Sequence, residues 1–207
     1  KLAENEEYNL TASRYKVQKD YTNCKWKMVK LGDICEIVSG QSPEGIYYNE
    51  NGDGCPFYQG KTEFTNKYIG KPKKWTTKIT KEAVCGDILM SVRAPVGPVN
   101  IATEKCCIGR GLALIRAKEQ VIQSYLFHIL RNKENEIIGN KGAAFDSITK
   151  KDIESIQIPL PPLDVQEEIV AEIEKEENAI EECKKLIELH QENINTKIQS
   201  IWGDSIE

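Results

Sequence analysis

The chain has 207 residues, of which 40% are hydrophobic and 29% charged, with a formal net charge of −4. That length predicts one core plus an appendage rather than several domains. No apolar run reaches the roughly 18 residues that a membrane helix needs, and no signal peptide is visible. The seven cysteines form no Cys-x-x-Cys pair. They argue for reduced thiols in a cytoplasm rather than a disulfide framework or a zinc site.

Residues 1–23 balance four acids against four bases around Tyr8 and Tyr15. They read as a connector, and Lys1 in the place of a methionine fits a piece of a longer protein. The globular part is expected from about residue 24 to 162. Val29 to Cys35 predicts a turn or short helix, and Glu36–Ser39 alternates as a strand does. Gly40 to Gly45 and Asn49 to Gly54 are turn clusters by their glycine, proline, serine and asparagine content. Pro56–Gln59 reads as a strand ending at Gly60. From Lys67 to Lys81 six lysines accompany Tyr68 and Trp75 with no acid, a candidate phosphate-facing ribbon.

Ile88–Val92 is dense enough in apolar residues for a buried strand, followed by a turn over Arg93–Gly97. Pro98–Ala102 and Lys105–Ile108 predict two further strands, with one of the adjacent pair Cys106 and Cys107 in the core. Gly109-Arg110-Gly111 breaks the chain before a core strand over Leu112–Arg116. Val121 to about Ile138 is helical by its apolar spacing, with His128 off the apolar face and Gly139 as the stop. Gly142–Ser147 is a small-residue loop. Thr149-Lys150-Lys151-Asp152 resembles a capping box, and Ile156–Ile158 is a last strand.

Pro159, Pro161 and Pro162 then forbid helix, after which residues 164–202 contain neither proline nor glycine. Within them Ile173, Ile180, Ile187, Ile194 and Ile201 recur every seventh residue. Such a repeat predicts a long helix over 163–202 that meets a second helix along its length. Charge divides the same way. Residues 164–207 hold 13 acids and 4 bases, a net of −9; residues 1–163 hold 19 acids and 24 bases, a net of +5. A basic globular part with an acidic helix suggests that only the former meets an anion.

No catalytic constellation is present. There is no Gly-x-x-x-x-Gly-Lys-Ser/Thr phosphate loop and no Gly-x-Ser-x-Gly elbow. Gly109-Arg110-Gly111 leads into a strand, not into the helix that a dinucleotide site requires. The chain therefore reads as a binding module with no catalytic residues, metal or cofactor of its own. The candidate DNA-binding residues lie on turns: Gln41, Ser42, Gln59, Lys61, Lys73, Lys74, Arg93, Arg110, Lys141 and Ser147. Arginine pairs with guanine and glutamine with adenine through two hydrogen bonds, while lysine and serine more often hold phosphates.

Three stretches carry a family resemblance: Val29-Lys30-Leu31-Gly32-Asp33-Ile34-Cys35-Glu36-Ile37-Val38-Ser39-Gly40, Gly86-Asp87-Ile88-Leu89-Met90-Ser91-Val92-Arg93, and Ile156-Gln157-Ile158-Pro159-Leu160-Pro161-Pro162-Leu163-Asp164-Val165-Gln166-Glu167-Glu168-Ile169. In this order, over residues 26–202, they resemble one half of the specificity (S) subunit of type I restriction–modification systems. The resemblance implies an α/β (α+β) target recognition domain with a mixed or antiparallel sheet, followed by a long coiled-coil-forming spacer helix. It implies double-stranded DNA as ligand, a modification (methyltransferase) subunit and a restriction subunit as partners, and the cytoplasm of a bacterium or archaeon as the compartment. Family members usually carry two such halves and this chain carries one. A homodimer, or pairing with a second half through the long helix, is then expected. Tyr8-Asn9-Leu10-Thr11-Ala12-Ser13-Arg14-Tyr15 is similar to the closing segment of adenine-modifying subunits, which fits the specificity part of a fused type II methyltransferase–endonuclease. A protein-interaction scaffold built on the long helix is the competing reading of another class.

Overall fold

The computed structural model describes residues 24–134, 137 and 147–202. The expected connector over residues 1–23, Lys141 and the predicted helix stop at Gly139 lie outside the described residues. The chain divides into two compact units, one ending at Gln166 and the other beginning at Glu167.

In chain order the first unit runs β1 (Met28–Lys30), α1 (Leu31–Ile34), β2 (Cys35–Ser39), β3 (Tyr48–Asn49), β4 (Cys55–Tyr58), β5 (Trp75–Thr76), β6 (Glu82–Ala83), β7 (Ile88–Ser91), β8 (Val99–Ile101), β9 (Cys106–Ile108), β10 (Leu112–Ala117), α2 (Gln123–Asn132), α3 (Lys150–Glu154) and β11 (Gln157–Pro159). Single 3-10 turns cover Gly45–Tyr47 and Lys61–Glu63. The last helix, α4 (Leu163–Trp202), places its first turn in this unit and the rest in the second.

The strands form three sheets. A four-stranded antiparallel sheet has the order β2-β10-β7-β8. A five-stranded sheet has the order β3-β5-β4-β9-β6, and its β4–β9 pair is parallel. The predicted mixed α/β architecture with a long terminal helix is therefore the observed one. The third sheet pairs β1 with β11, Met28 opposite Pro159 and Lys30 opposite Gln157, and so ties the start of the unit to its end.

The core lies between the two larger sheets. Leu89, Leu112 and Leu114 of the four-stranded sheet cluster with Tyr58, Ala83, Cys106 and Ile108 of the five-stranded one. The alternate residues Ile88, Met90, Ala113 and Ile115 are buried as well, and helix α2 lies against β8 and β10. Covered on both faces, β7 and β10 read in sequence as continuous apolar runs instead of alternating ones.

Three local expectations are corrected. His128 is buried, its ring 5.4 Å from that of Phe127 and edge-on to it. Helix α2 buries four consecutive residues, Tyr125 to His128, a wider face than a single apolar stripe. The pair Cys106 and Cys107 is buried entirely, not on one side only. Cys106 faces the core cluster, while the Cys107 sulfur lies 3.6 Å from the Thr80 hydroxyl. The predicted helix start also shifts from Val121 to Gln123, with Ile122 as its N-cap. The capping box is present as read: Thr149 N–H donates to Asp152 Oδ2 at 2.9 Å, and Asp152 N–H to Thr149 Oγ1 at 3.3 Å.

Helix α4 spans 40 residues without a break, about 60 Å at 1.5 Å per residue. In the second unit Ile180, Ile187, Ile194 and Ile201 are 55%, 57%, 56% and 78% exposed. No described helix is long and apolar enough to cross a membrane.

Candidate nucleic-acid interface

Strands β2, β4, β7 and β9 all end at the same edge of the two packed sheets, where β10 begins. Four chain segments meet there, and backbone hydrogen bonds knit them together. Gly40 N–H donates to Leu112 O and Gln41 N–H to Ile108 O, both at 2.9 Å. Gly109 N–H donates to Tyr58 O at 2.8 Å, Gly111 N–H to Gln59 O at 3.1 Å, and Val92 N–H to Gly111 O at 3.0 Å. Glycine is required for this density. A Cβ on Gly40 would stand 2.2 Å from the Gly109 carbonyl oxygen, and one on Gly111 2.4 Å from that of Gln59.

The segments enclose an open cleft of about 310 Å³, lined by Gln59, Lys61, Thr62, Ser91, Arg93 and Arg110 together with Gly60, Ala94 and Gly111. Four of the predicted DNA-binding residues, Gln59, Lys61, Arg93 and Arg110, thus share one cleft. Three of the lining residues are cationic and none is acidic. Gln59, Lys61, Arg93 and Arg110 are all exposed, so their ends are available to a ligand.

The neighbouring residues position them. Ser42 Oγ accepts the Arg110 N–H at 3.2 Å, which pins the turn that carries the arginine. The buried Ser91 donates its hydroxyl to Arg93 O at 3.1 Å, and its backbone carbonyl accepts Gly97 N–H at 3.0 Å. Ser147 forms an antiparallel bridge with Arg93, and Ile148 N–H donates to Val92 O at 3.0 Å, so these two residues, just before α3, lie beside the cleft. Gln41 is exposed beside it, and its carbonyl accepts the Thr80 hydroxyl.

Lys73 and Lys74 are exposed but do not line the cleft. Lys74 lies alongside β4, where its carbonyl accepts Phe57 N–H at 2.8 Å. Ser91 and Thr62, which the sequence did not single out, also line the cleft, and the Ser42 hydroxyl accepts the Arg110 backbone N–H while keeping its own proton to donate. The signal for the site was the run of glycines at 40, 109 and 111, which mark close backbone approach.

Away from the cleft, Arg116 makes a two-pronged pair with the buried Asp87, Nε to Oδ1 and Nη2 to Oδ2 both at 2.7 Å. That hydrogen bonding holds the Arg116 pKa above its ordinary value. Val84 N–H donates to the same carboxylate at 2.7 Å, so the pair fastens β10 to the turn before β7 and belongs to the scaffold. Among the described residues no group of three or more His, Cys, Asp and Glu side chains is placed to hold a metal ion.

The family model for the type I restriction modification DNA specificity domain matches residues 23–191. The chain belongs to this family. It is 46% identical over 177 residues to a putative type I restriction enzyme MjaX specificity subunit of Methanocaldococcus jannaschii, covering 78% of this chain and 41% of that one. It resembles the crystal structure of the HsdS subunit from Thermoanaerobacter tengcongensis at 40% identity and a TM-score of 0.68, over 79% of this chain and 40% of that one. A chain from a structural study of complex assembly and conformational transition of the type I R-M system matches at 36% identity and a TM-score of 0.77, over 92% of this chain and 48% of that one. The chain spans about two fifths of the length of this curated relative. The family is one of type I restriction modification DNA specificity domains.

Proposed function

We propose that the first unit reads one half of a bipartite DNA site in a cytoplasmic restriction–modification complex, without catalysis of its own. The observation that carries this reading is the cleft in which Arg93, Arg110, Gln59 and Lys61 converge with no acid among its lining residues. Arginine and glutamine present the two-pronged donors and acceptors that base edges require, and lysine neutralises phosphate. The long helix pairs antiparallel with a second such helix, in another copy or a second half, and sets the distance between two reading units. Its exposed seven-residue isoleucine repeat supports that pairing. Its charge supports it too, because residues 164–207 carry a net of −9 and are repelled by DNA phosphates. The modification and restriction subunits are the remaining partners of the complex.

The test is sedimentation of the chain with a pool of random duplexes at low and high salt. Binding is expected to fall steeply with salt, and the bound pool is expected to share a short motif. Arg93→Ala and Arg110→Ala are expected to lose sequence preference at about 1–3 kcal/mol each, whereas Lys184→Ala and Lys185→Ala leave it unchanged. A folded chain that binds no duplex at low salt would overturn the reading and favour an interaction scaffold.

A further inference from the structure

Beside the cleft stands a ridge that the reading above leaves unused. The 3-10 turn Gly45–Tyr47 is braced on both sides: Tyr47 N–H donates to Glu44 O at 3.0 Å, and the Tyr48 hydroxyl to Pro43 O at 2.6 Å. The Tyr48 ring also stacks on Phe57, with centroids 4.8 Å apart. The turn is stitched to residues 77–80. Thr77 N–H donates to Tyr47 O at 3.2 Å, Thr80 donates its hydroxyl to the Gln41 carbonyl, and the Lys78 ammonium lies 4.7 Å from the centre of the Tyr47 ring. The stitching runs on into the cleft through Ser42, which accepts the Arg110 N–H.

At the tip of this braced turn Ile46 is 81% exposed, more than any other described large hydrophobic residue of the first unit. Lys78, whose ammonium lies on the ring of the next residue, Tyr47, and Lys81, three positions further along the stitched segment, are exposed. A single exposed isoleucine on a loose loop is ordinary. One held at the apex of a hydrogen-bonded turn loses little freedom when it is covered, so its burial is retained as affinity. The stitched partner segment, residues 67–81, carries six lysines and no acid, and this selects a polyanion as the occupant. On a polyanionic duplex the apolar feature of the major-groove floor is the 5-methyl group of thymine. The exposed Glu44 argues the same way. Phosphate repels it, while cytosine amino groups on the groove floor donate to it.

We propose that the turn Gly45–Tyr47 enters the major groove beside the cleft and packs Ile46 on a thymine 5-methyl group, while Lys78 and Lys81 hold the flanking phosphates. The inference rests on the DNA-reading function proposed above and names a residue that would set specificity there. The experiment measures affinity of the full chain for a duplex recovered by selection, by fluorescence anisotropy, with each thymine of the half-site replaced in turn by deoxyuridine. One replacement is expected to weaken binding about fourfold, the worth of one buried methyl. Ile46→Ala is expected to weaken binding by a similar or larger factor and to become indifferent to that replacement. Lys78→Gln and Lys81→Gln are each expected to lower the slope of log affinity against log salt by about 0.9. Wild-type binding that Ile46→Ala and every deoxyuridine leave unchanged would overturn the inference alone. So would Ile46→Ala impairing assembly with a protein partner at unchanged DNA affinity. A wild-type chain that binds no duplex would overturn the reading on which it rests.

Discussion

The side-chain carbonyl of Gln166 accepts the backbone N–H of Ile122 at 2.8 Å, across 44 positions of sequence. Its amide donates to Pro161 O at 2.8 Å and to Gln120 O at 3.2 Å, and the residue is fully buried. One glutamine thus satisfies the N-cap backbone of α2 and fastens it to the proline hinge within the first unit.

Removing that side chain strands the Ile122 N–H and the Gln120 carbonyl, whose bonds to it are partly buried, and the buried Pro161 carbonyl. Gln166→Ala is expected to destabilise the first unit by about 1–3 kcal/mol, read as a lower urea midpoint followed by the fluorescence of Trp26 and Trp75. A midpoint that does not move would mean that water replaces the amide at no cost.

Gly111→Ala tests how the cleft is built. The added methyl would need the room now taken by the Gln59 carbonyl, 2.4 Å away, so the turn must open. The expected outcome is weakened DNA binding larger than any loss of stability, because the displaced turn carries Arg110. Arg110→Lys should retain part of the affinity but less of the sequence preference, since lysine lacks the planar fork. The check is a comparison of anisotropy titrations with thermal melts for the two variants.

Alkaline pH should destabilise the fold in a defined window. Burial pushes the Cys35 and Cys106 thiols up to about 12 from an ordinary value of 9.0, and Tyr125 to about 12 from 10.0 for the same reason. In each case the folded pKa exceeds the unfolded one. The contribution is therefore fully present below pH 9 and is lost as pH rises toward 12, where the unfolded chain gives up protons that the folded chain keeps. Urea midpoints should fall between pH 9 and about pH 12, the span between the unfolded and folded pKa values, and fall less steeply in Cys35→Ala. At neutral pH the exposed Cys85 and Cys183 should react with a disulfide reagent quickly, and Cys35, Cys106 and Cys107 only on unfolding.

The isoleucine seam predicts self-association. Ile180→Asp combined with Ile187→Asp is expected to convert a dimer to a monomer in sedimentation velocity, with the melting of the first unit unchanged. Both positions are more than half exposed in the single chain, so the loss would belong to pairing and not to folding. A wild-type chain that is monomeric at tens of micromolar, well above a Kd of ~1 μM, would defeat pairing between copies and leave a second half as the partner.

Several elements were legible from residues close in sequence. The prolines at 159, 161 and 162, followed by a run free of proline and glycine, marked the helix over Leu163–Trp202 at both ends. Thr149 and Asp152 marked the start of α3, and dense apolar runs marked β7 and β10. The candidate residues were readable as turn-borne polar groups, but their grouping was not. Arg93 and Arg110 belong to one cleft while Lys73 and Lys74 lie outside its lining, although all four look alike as exposed cations in sequence.

What the amino-acid sequence determined by itself is what short-range physics governs. Backbone φ at proline and glycine, side-chain capping and the period of apolar residues act within a few positions, and they suffice for element type, helix length and the division into a basic part and an acidic one. Only the tertiary structure decided which strands pair, that β4 and β9 run parallel, that β1 meets β11 across more than a hundred residues, and that His128 is buried. Those outcomes depend on which apolar faces cover one another across the core. Many pairings satisfy the same local pattern, and the close approaches at Gly40 and Gly111 exist only in the assembled sheets.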